Sequence, residues 1–439
     1  MILPHKLATT KGLLTSRAGL LLPAQLMESI QFSACVDQHF PQPNSNRGFA
    51  ASTYVQTLML MQHDAGFHVD DVRLLNDDKA LLSVLSLESF PCATALGKWL
   101  RRLGKAPASM QAMQAVNKHL LKAALHRCKA VTLDIDASEV VSSKAEAKWT
   151  YNKNQGYMPM VGHIAETDQI VACDFRVGNE APASRNLEFI QQCETALPTG
   201  VRVKALRIDC AGYQSKIIQY CDDHSISYAI RARMSAPIKQ FLAELSDAQW
   251  CPVLDANGEP TEQETCRTTH CIGDYKEPFT LVLQRQVKRG QACLDLGDNT
   301  SDEMAVGGYI YRAIATNKDH CSDSEIVHWY NQRGETSENR IKELKLDFGG
   351  DTLPCSDFNA NALYFAVTAL SYNLFALMRQ LLPEELATKR VITLRWRVYA
   401  LAAKVVKTGR QIIIKLREDH QKLLAKLLDL MREIEPPPI

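Results

Sequence analysis

The stretch from residue 130 to 231 constrains the fold most, because strand rhythm and helix rhythm alternate there in a fixed order. Residues 130–141 (A-V-T-L-D-I-D-A-S-E-V-V) read as a strand, and 156–167 with 169–177 read as a hairpin turned around Asp168. A crossover helix fits 184–197, a second strand ending in an aspartate fits 203–209 (V-K-A-L-R-I-D), a helix fits 214–224, and 226–231 closes the unit as a strand. Three antiparallel strands, a helix, a parallel strand, a helix and a further strand predict an α/β fold around one mixed sheet.

Side chains on a strand repeat every second residue, so Asp134 and Asp136 project from the same face. Carboxylates on one strand face repel unless a cation neutralises them, and hard oxygen ligands select magnesium or manganese. Asp209 stands at the carboxyl end of its strand, where ligands gather in α/β sheets. A third carboxylate comes from 328–348 (H-W-Y-N-Q-R-G-E-T-S-E-N-R-I-K-E-L-K-L-D-F), where Glu338, Lys342 and Lys345 share a helical face beside an apolar stripe of Ile341, Leu344 and Phe348. Such a helix is either a solvated face with (i, i+4) ion pairs or the carrier of the third metal-binding carboxylate. The order of elements is that of a ribonuclease H-like core, with the two aspartates on strands and the glutamate on a later helix.

A chain of 439 residues with 46% hydrophobic content can bury several cores. Residues 1–128 read as an N-terminal helical domain, with helices at 51–65, 72–85 and 94–103; the last sets Trp99 beside Lys98, Arg101 and Arg102, which suits DNA docking as well as plain helix packing. Residues 129–233 form the first part of the core. Residues 234–308, broken by Pro237, Pro252, Pro260 and Pro278, read as a mainly β insertion with a helix at 238–245 and a strand at 279–287. The core resumes over 309–382 with a strand at 309–316, a helix capped by Asp323 or Ser324, and an apolar helix at 360–382 expected to pack across the core. Residues 383–439 read as a basic helical C-terminal segment. Within it, 386–417 carries nine Lys or Arg, no Asp or Glu, and both Trp396 and Tyr399; on a chain with 50 basic and 49 acidic residues this segregation reads as a phosphate-contacting surface through Arg395, Arg397 and Lys404.

The 13 cysteines are scattered without a C-x-x-C, which points to a reducing compartment, and Cys251, Cys266, His270 and Cys271 match no standard zinc spacing. No apolar run reaches the ~18 residues of a membrane helix and no signal-peptide pattern opens the chain. The expectation is a cytoplasmic protein, nucleoid-associated when bound to DNA, with neither a membrane nor a nucleotide cofactor as partner.

Over residues 60–417 the chain resembles the DDE transposases of bacterial insertion sequences, the branch with Y-x2-R-x3-E-x6-K in its third motif. Tyr330, Arg333, Glu338 and Lys345 match, and E-N-R-I-K-E-L-K followed by D-F-G is similar to one subgroup. That family has Ser or Thr two residues after its first aspartate, which favours Asp136 (D-A-S) over Asp134; Asp209 (D-C-A-G-Y) matches its second motif. The resemblance implies Asp136, Asp209 and Glu338 as catalytic metal ligands, with Asp134 nearby, for two Mg²⁺ or Mn²⁺ ions per active site. Tyr330, Arg333, Lys342 and Lys345 would join Arg395, Arg397 and Lys404 in contacting DNA. The implied activity is cleavage of transposon ends followed by strand transfer into target DNA. The alternatives are a nuclease on the same core that cuts without joining and a catalytically inactive DNA-binding relative. Because an element has two ends, a homodimer on DNA is the smallest arrangement that handles both. One departure is visible: four residues separate Arg333 from Glu338 where the family has three, a rotation of about 100° in a continuous helix. A break at Gly334 before Thr336 would absorb it; otherwise Glu335 becomes an alternative third ligand.

Overall fold

The computed structural model describes residues 7–41, 48–288, 302–409 and 411–438, with Glu335 and Thr336 described by backbone alone. Arg410 and the side chain of Glu335 thus lie outside the described residues. The chain divides into two units, Met1–His126 with Ser142–Ala147 and Lys342–Ile439, and Arg127–Val141 with Lys148–Ile341.

In the second unit the alternation at 130–141 becomes β1 (Ala130–Ala137), whose odd positions Val131, Leu133 and Ile135 are buried. The hairpin follows as β2 (Met160–Ile164) and β3 (Ile170–Asp174), reversing at Asp168 in the left-handed region (φ 60°) that a short polar side chain tolerates. The residues just before it diverge from the expected single strand. Gln155–Tyr157 pairs with Val140–Val141 and Lys148–Trp149 in a separate three-stranded sheet, and Pro159, which has no N–H to donate, stands between the two. Helix α1 (Asn186–Ala196) leads to β4 (Arg202–Ile208), and α2 (Ser215–Asp223) leads to β5 (Ser227–Arg231).

β1 pairs antiparallel with β2 and parallel with β4, and β4 pairs parallel with β5, so the order β3-β2-β1-β4-β5 follows the reading of the sequence. The region read as an insertion continues this sheet. Helix α3 (Ala236–Glu244) precedes β6 (Cys251–Leu254), β7 (Pro260–Ile272), β8 (Tyr275–Val287), β9 (Met304–Val306) and β10 (Tyr309–Thr316), and β10 joins β8 to β5. Among the described residues the sheet has ten strands. Helix α4 (Asp323–Arg333) buries Ile326, Val327 and Tyr330 against Ala229, Val253, Val282 and Ile314. Its N-cap is Ser322, not Asp323 or Ser324: the Ser322 hydroxyl accepts the Glu325 N–H at 3.3 Å while the Glu325 carboxylate accepts the Ser322 N–H at 2.8 Å, a reciprocal capping box.

The first unit is built around Phe358–Leu381. This helix was expected to pack across the sheet core; it is instead the centre of a helical bundle with Ala51–His63, Ala93–Gly104 and Pro107–Ala124, because it is apolar around most of its circumference and needs neighbours on every side. It also corrects the expectation of no membrane-length apolar run: among the described residues it is the one helix long and apolar enough, and 89% of that stretch is buried within the protein. Its polar residues are paired inward, with Gln62 Nε2 donating to Thr368 Oγ1 at 2.8 Å and Ser371 Oγ donating to Gln62 Oε1 at 2.5 Å. The expected basic C-terminal helix is corrected as well. After a short helical stretch, Ala403–Thr408 and Gln411–Lys415 form a β-hairpin that pairs with Leu13–Thr15, since the β-branched runs Val405–Val406 and Ile412–Ile414 favour a strand over a helix.

Candidate active site

The helix that carries Glu338 is neither broken nor regular. After α4, Gly334–Glu338 forms a π turn and Asn339–Lys342 returns to α geometry; Gly334 keeps helical angles (φ −58°, ψ −41°), so the break expected there is absent. In a π turn each hydrogen bond spans one residue more than in an α turn, so five residues occupy the place of four. The extra residue between Arg333 and Glu338 is taken up in this way, and Arg333 stays on the face toward the sheet, its NH2 3.1 Å from Asp136 Oδ2 and also donating to the Ile135 carbonyl.

Asp136 is the penultimate residue of β1, and its side chain is 17% exposed. Asp209 directly follows β4 and caps the next turn by accepting the Ala211 N–H at 3.0 Å. The glycine of D-C-A-G-Y is a packing requirement: a Cβ on Gly212 would lie 2.3 Å from Ile208 Cγ2. Glu338 is exposed. These three carboxylates share one electrostatic field. Burial pushes the Asp136 carboxyl up to about 6; Arg333 pulls it down, and Asp209 and Glu338 push it further up. Burial opposes the charge on Arg333, yet Asp136, Tyr330, Asp209 and Asp134 outweigh it and hold the guanidinium above its ordinary value.

Asp134 takes a different part. It is fully buried and bound bidentately by Arg207, Nε to Oδ1 and NH2 to Oδ2 at 2.7 Å each, so its charge is already neutralised. Arg207, absent from the sequence-based site, also donates to the Trp329 carbonyl at 2.5 Å. The signal was present in R-I-D, where the arginine holds the position that Asp134 holds in D-I-D. Arg231 was missed too; its guanidinium stacks over the Tyr330 ring at 4.8 Å. Arg340 pairs with Asp168 at 3.0 Å, tying the glutamate helix to the β2–β3 turn.

Tyr330 and Arg333, expected on a DNA-facing surface, are buried: the tyrosine in the apolar cluster under α4, the arginine against Asp136. Lys342 and Lys345 belong to the other unit, the first exposed and the second half-buried. Within that unit Arg395 is also turned inward. Its guanidinium donates to the carbonyls of His63, Gln62 and Asp347 at 2.9, 2.7 and 2.5 Å and lies over the rings of Phe67 and Phe348, so it locks the segment in place. Arg397 and Lys404 are exposed.

Among the described residues, no three His, Cys, Asp or Glu side chains are gathered closely enough to hold a metal ion as they stand. The donor chemistry fits a hard divalent cation nonetheless: the coupled groups are all carboxylates, and the one cation among them is the arginine that now offsets their charge.

No curated protein matches the sequence. A solved transposase, in the "Cryo-EM structure of piggyBac transposase synaptic complex with hairpin DNA", aligns over 98% of this chain and 85% of that one with 10% identity and a TM-score of 0.46. Residues 6–436 match the family described as transposase DDE domain group 1, nearly the whole length, and the chain belongs to that family of DDE transposases.

Proposed function

We propose that the chain is the transposase of a bacterial insertion sequence, cleaving transposon ends and transferring the freed strands into target DNA. Strands β3-β2-β1-β4-β5 serve as its ribonuclease H-like core, with Asp136, Asp209 and Glu338 as the ligands of two Mg²⁺ or Mn²⁺ ions. The observation that carries the reading is the coupling of Asp136 to Asp209 and Glu338 across Arg333, from elements far apart in sequence. When bound, the ions supply Lewis-acid stabilisation to the attacking and leaving oxygens of a phosphodiester.

The remaining steps belong to the chain's own residues. Arg333 lies against Asp136 and its positive charge opposes the effect of burial there; Arg207 holds both oxygens of Asp134, which leaves Asp134 outside the ligand set. Gly212 lets the turn after β4 close tightly, which fixes where Asp209 points. Arg397 and Lys404, with Lys342 and Lys345, are the cations we assign to DNA phosphates, and the N-terminal helices to the DNA duplex. The protein acts as a homodimer on two element ends, in the cytoplasm and at the nucleoid. A protein with Glu338→Gln mixed with one lacking Arg397 and Lys404 tests the dimer, since action across subunits restores cleavage and action within one subunit does not.

Labelled element ends incubated with the protein and Mg²⁺ or Mn²⁺ test the function. Joined products support transposition, nicks without joining point to a nuclease on the same core, and DNA binding without either product points to an inactive relative.

A further inference from the structure

Immediately after Asp136 the chain builds a small arm that the carboxylate site does not use. Val140–Val141, Lys148–Trp149 and Gln155–Tyr157 form its three-stranded sheet. Two large aromatic residues on this arm face solvent, Trp149 at 68% and Tyr151 at 65% exposure, alongside Val141 at 60%. Burying such side chains is ordinarily favourable, so an internally braced arm that holds them out in solvent marks a contact surface.

The arm is rigid for identifiable reasons. The Glu139 carboxylate accepts from the Thr150 hydroxyl and from Asn152 Nδ2 at 3.2 Å and Asn154 Nδ2 at 3.1 Å, which fixes the tip. Beneath it the backbones approach too closely for any side chain: a Cβ on Gly156 would lie 2.2 Å from the Val140 carbonyl oxygen, and one on Gly178 would lie 2.3 Å from that of Lys148. The arm therefore holds the two aromatic residues on a braced support whose first strand, Val140–Val141, begins three residues beyond Ala137 at the end of β1, and whose base is tied to that strand end by the Ser138 N–H donating to the Pro159 carbonyl.

We propose that this arm is a stacking platform for an unpaired nucleobase next to the cleaved phosphodiester, with Trp149 and Tyr151 taking the base and Lys148 and Lys153 taking its phosphates. The inference deepens the transposase reading and rests on it. Charge selects the occupant. Residues 148–165 carry Lys148 and Lys153 and no Asp or Glu; of the two acids just before them, Glu146 accepts the Phe358 N–H and Glu139 is engaged by its three internal hydrogen bonds. Exposed aromatics among lysines and asparagines suit a base with its backbone, because every base has a π face and every linkage carries a negative charge. Strand cleavage exposes such bases at a nicked or frayed end.

The test uses a short single-stranded oligonucleotide carrying one 2-aminopurine, and the matched duplex. Stacking quenches 2-aminopurine on binding the wild-type protein. Trp149→Ala and Tyr151→Ala should each abolish part of that quenching and weaken single-strand binding about 5- to 100-fold, with the salt dependence unchanged. Trp149→Phe should restore binding, whereas Lys148→Ala with Lys153→Ala should flatten the slope of log K against log salt by about 1.4. Both aromatic residues are exposed, so thermal unfolding matching the wild type verifies that the variants fold. Wild-type single-strand affinity in the Trp149→Ala, Tyr151→Ala double variant overturns the proposal. So does a double variant that sediments as a monomer where the wild type is a dimer, with DNA affinity per subunit unchanged, because the arm is then a protein contact. A wild-type protein that binds neither DNA form would instead sink the transposase reading itself.

Discussion

Asp134 and Arg207 face each other across adjacent parallel strands and are joined by two hydrogen bonds of 2.7 Å, with 0% and 1% of their side chains exposed. The register runs on from this pair to Ile135 opposite Ile208, and the next residues along the chain are Asp136 and Asp209. A single pattern, written D-I-D in one strand and R-I-D in the other, thus gives one carboxylate a permanent partner and leaves the next two for chemistry.

Breaking that buried pair should cost stability and not chemistry. Asp134→Asn leaves a buried guanidinium without its countercharge, a loss of about 3–5 kcal/mol by denaturant unfolding, while Asp134→Leu with Arg207→Met should lose less than either single change. Cleavage per folded molecule should survive Asp134→Asn. A variant as stable as the wild type but inactive would make Asp134 a ligand.

Acid should act on the site through Asp136. Its carboxyl is raised from 3.8 to about 6, so the folded metal-free protein takes up this proton before the unfolded chain does. Its contribution to stability is complete below about pH 4 and is lost as pH rises through about 6, by up to roughly 3 kcal/mol. Unfolding curves in a chelator should show that difference between wild type and Asp136→Asn changing over this window and flat above it. Divalent cations compete with the same proton, so their affinity by calorimetry should fall about tenfold per pH unit below about pH 6. An affinity constant from about pH 7 to pH 4.5 would remove Asp136 from the ligand set.

The π turn gives a prediction about chain length. Deleting Gly334 returns the segment to α geometry with Arg333 and Glu338 still on one face, so stability and cleavage should remain near wild type. Inserting an alanine after Gly334 swings Glu338 by about 100° and should abolish cleavage. Tolerance of the insertion together with failure of the deletion would contradict the role given to this turn.

Much of this was legible in the sequence. The strands and helices between residues 130 and 231 follow their periodicity closely, because each buries one face against a sheet whose register only one alternation satisfies. What periodicity could not convey was partnership. Phe358–Leu381 reads as an apolar helix wherever it packs, and only tertiary structure assigns it to the bundle with Gln62. Arg395 is one basic residue among nine by sequence, yet three carbonyls and two rings take it out of solvent while Arg397, two residues on, remains exposed. The π turn was equally hidden, since a one-residue insertion looks the same whether a helix breaks or widens.

That contrast within the basic segment is measurable. Arg397→Ala with Lys404→Ala should weaken binding to all DNA sequences and reduce the slope of log K against log salt by about 1.8 for a duplex. Arg395→Ala should instead destabilise the fold by about 1–3 kcal/mol, as buried carbonyls lose their donor. An unchanged slope in the first variant would leave the segment without a phosphate contact.

The unity of Asp136, Asp209 and Glu338 as one catalytic set is tested most directly by cleavage of end-bearing DNA in Mn²⁺, with DNA affinity measured on the same samples. Asp136→Asn, Asp209→Asn and Glu338→Gln are each expected to cut at least about a thousandfold more slowly than wild type while binding DNA within about threefold of it. Cleavage at the wild-type rate by any one of the three would contradict the assignment of that residue to the site.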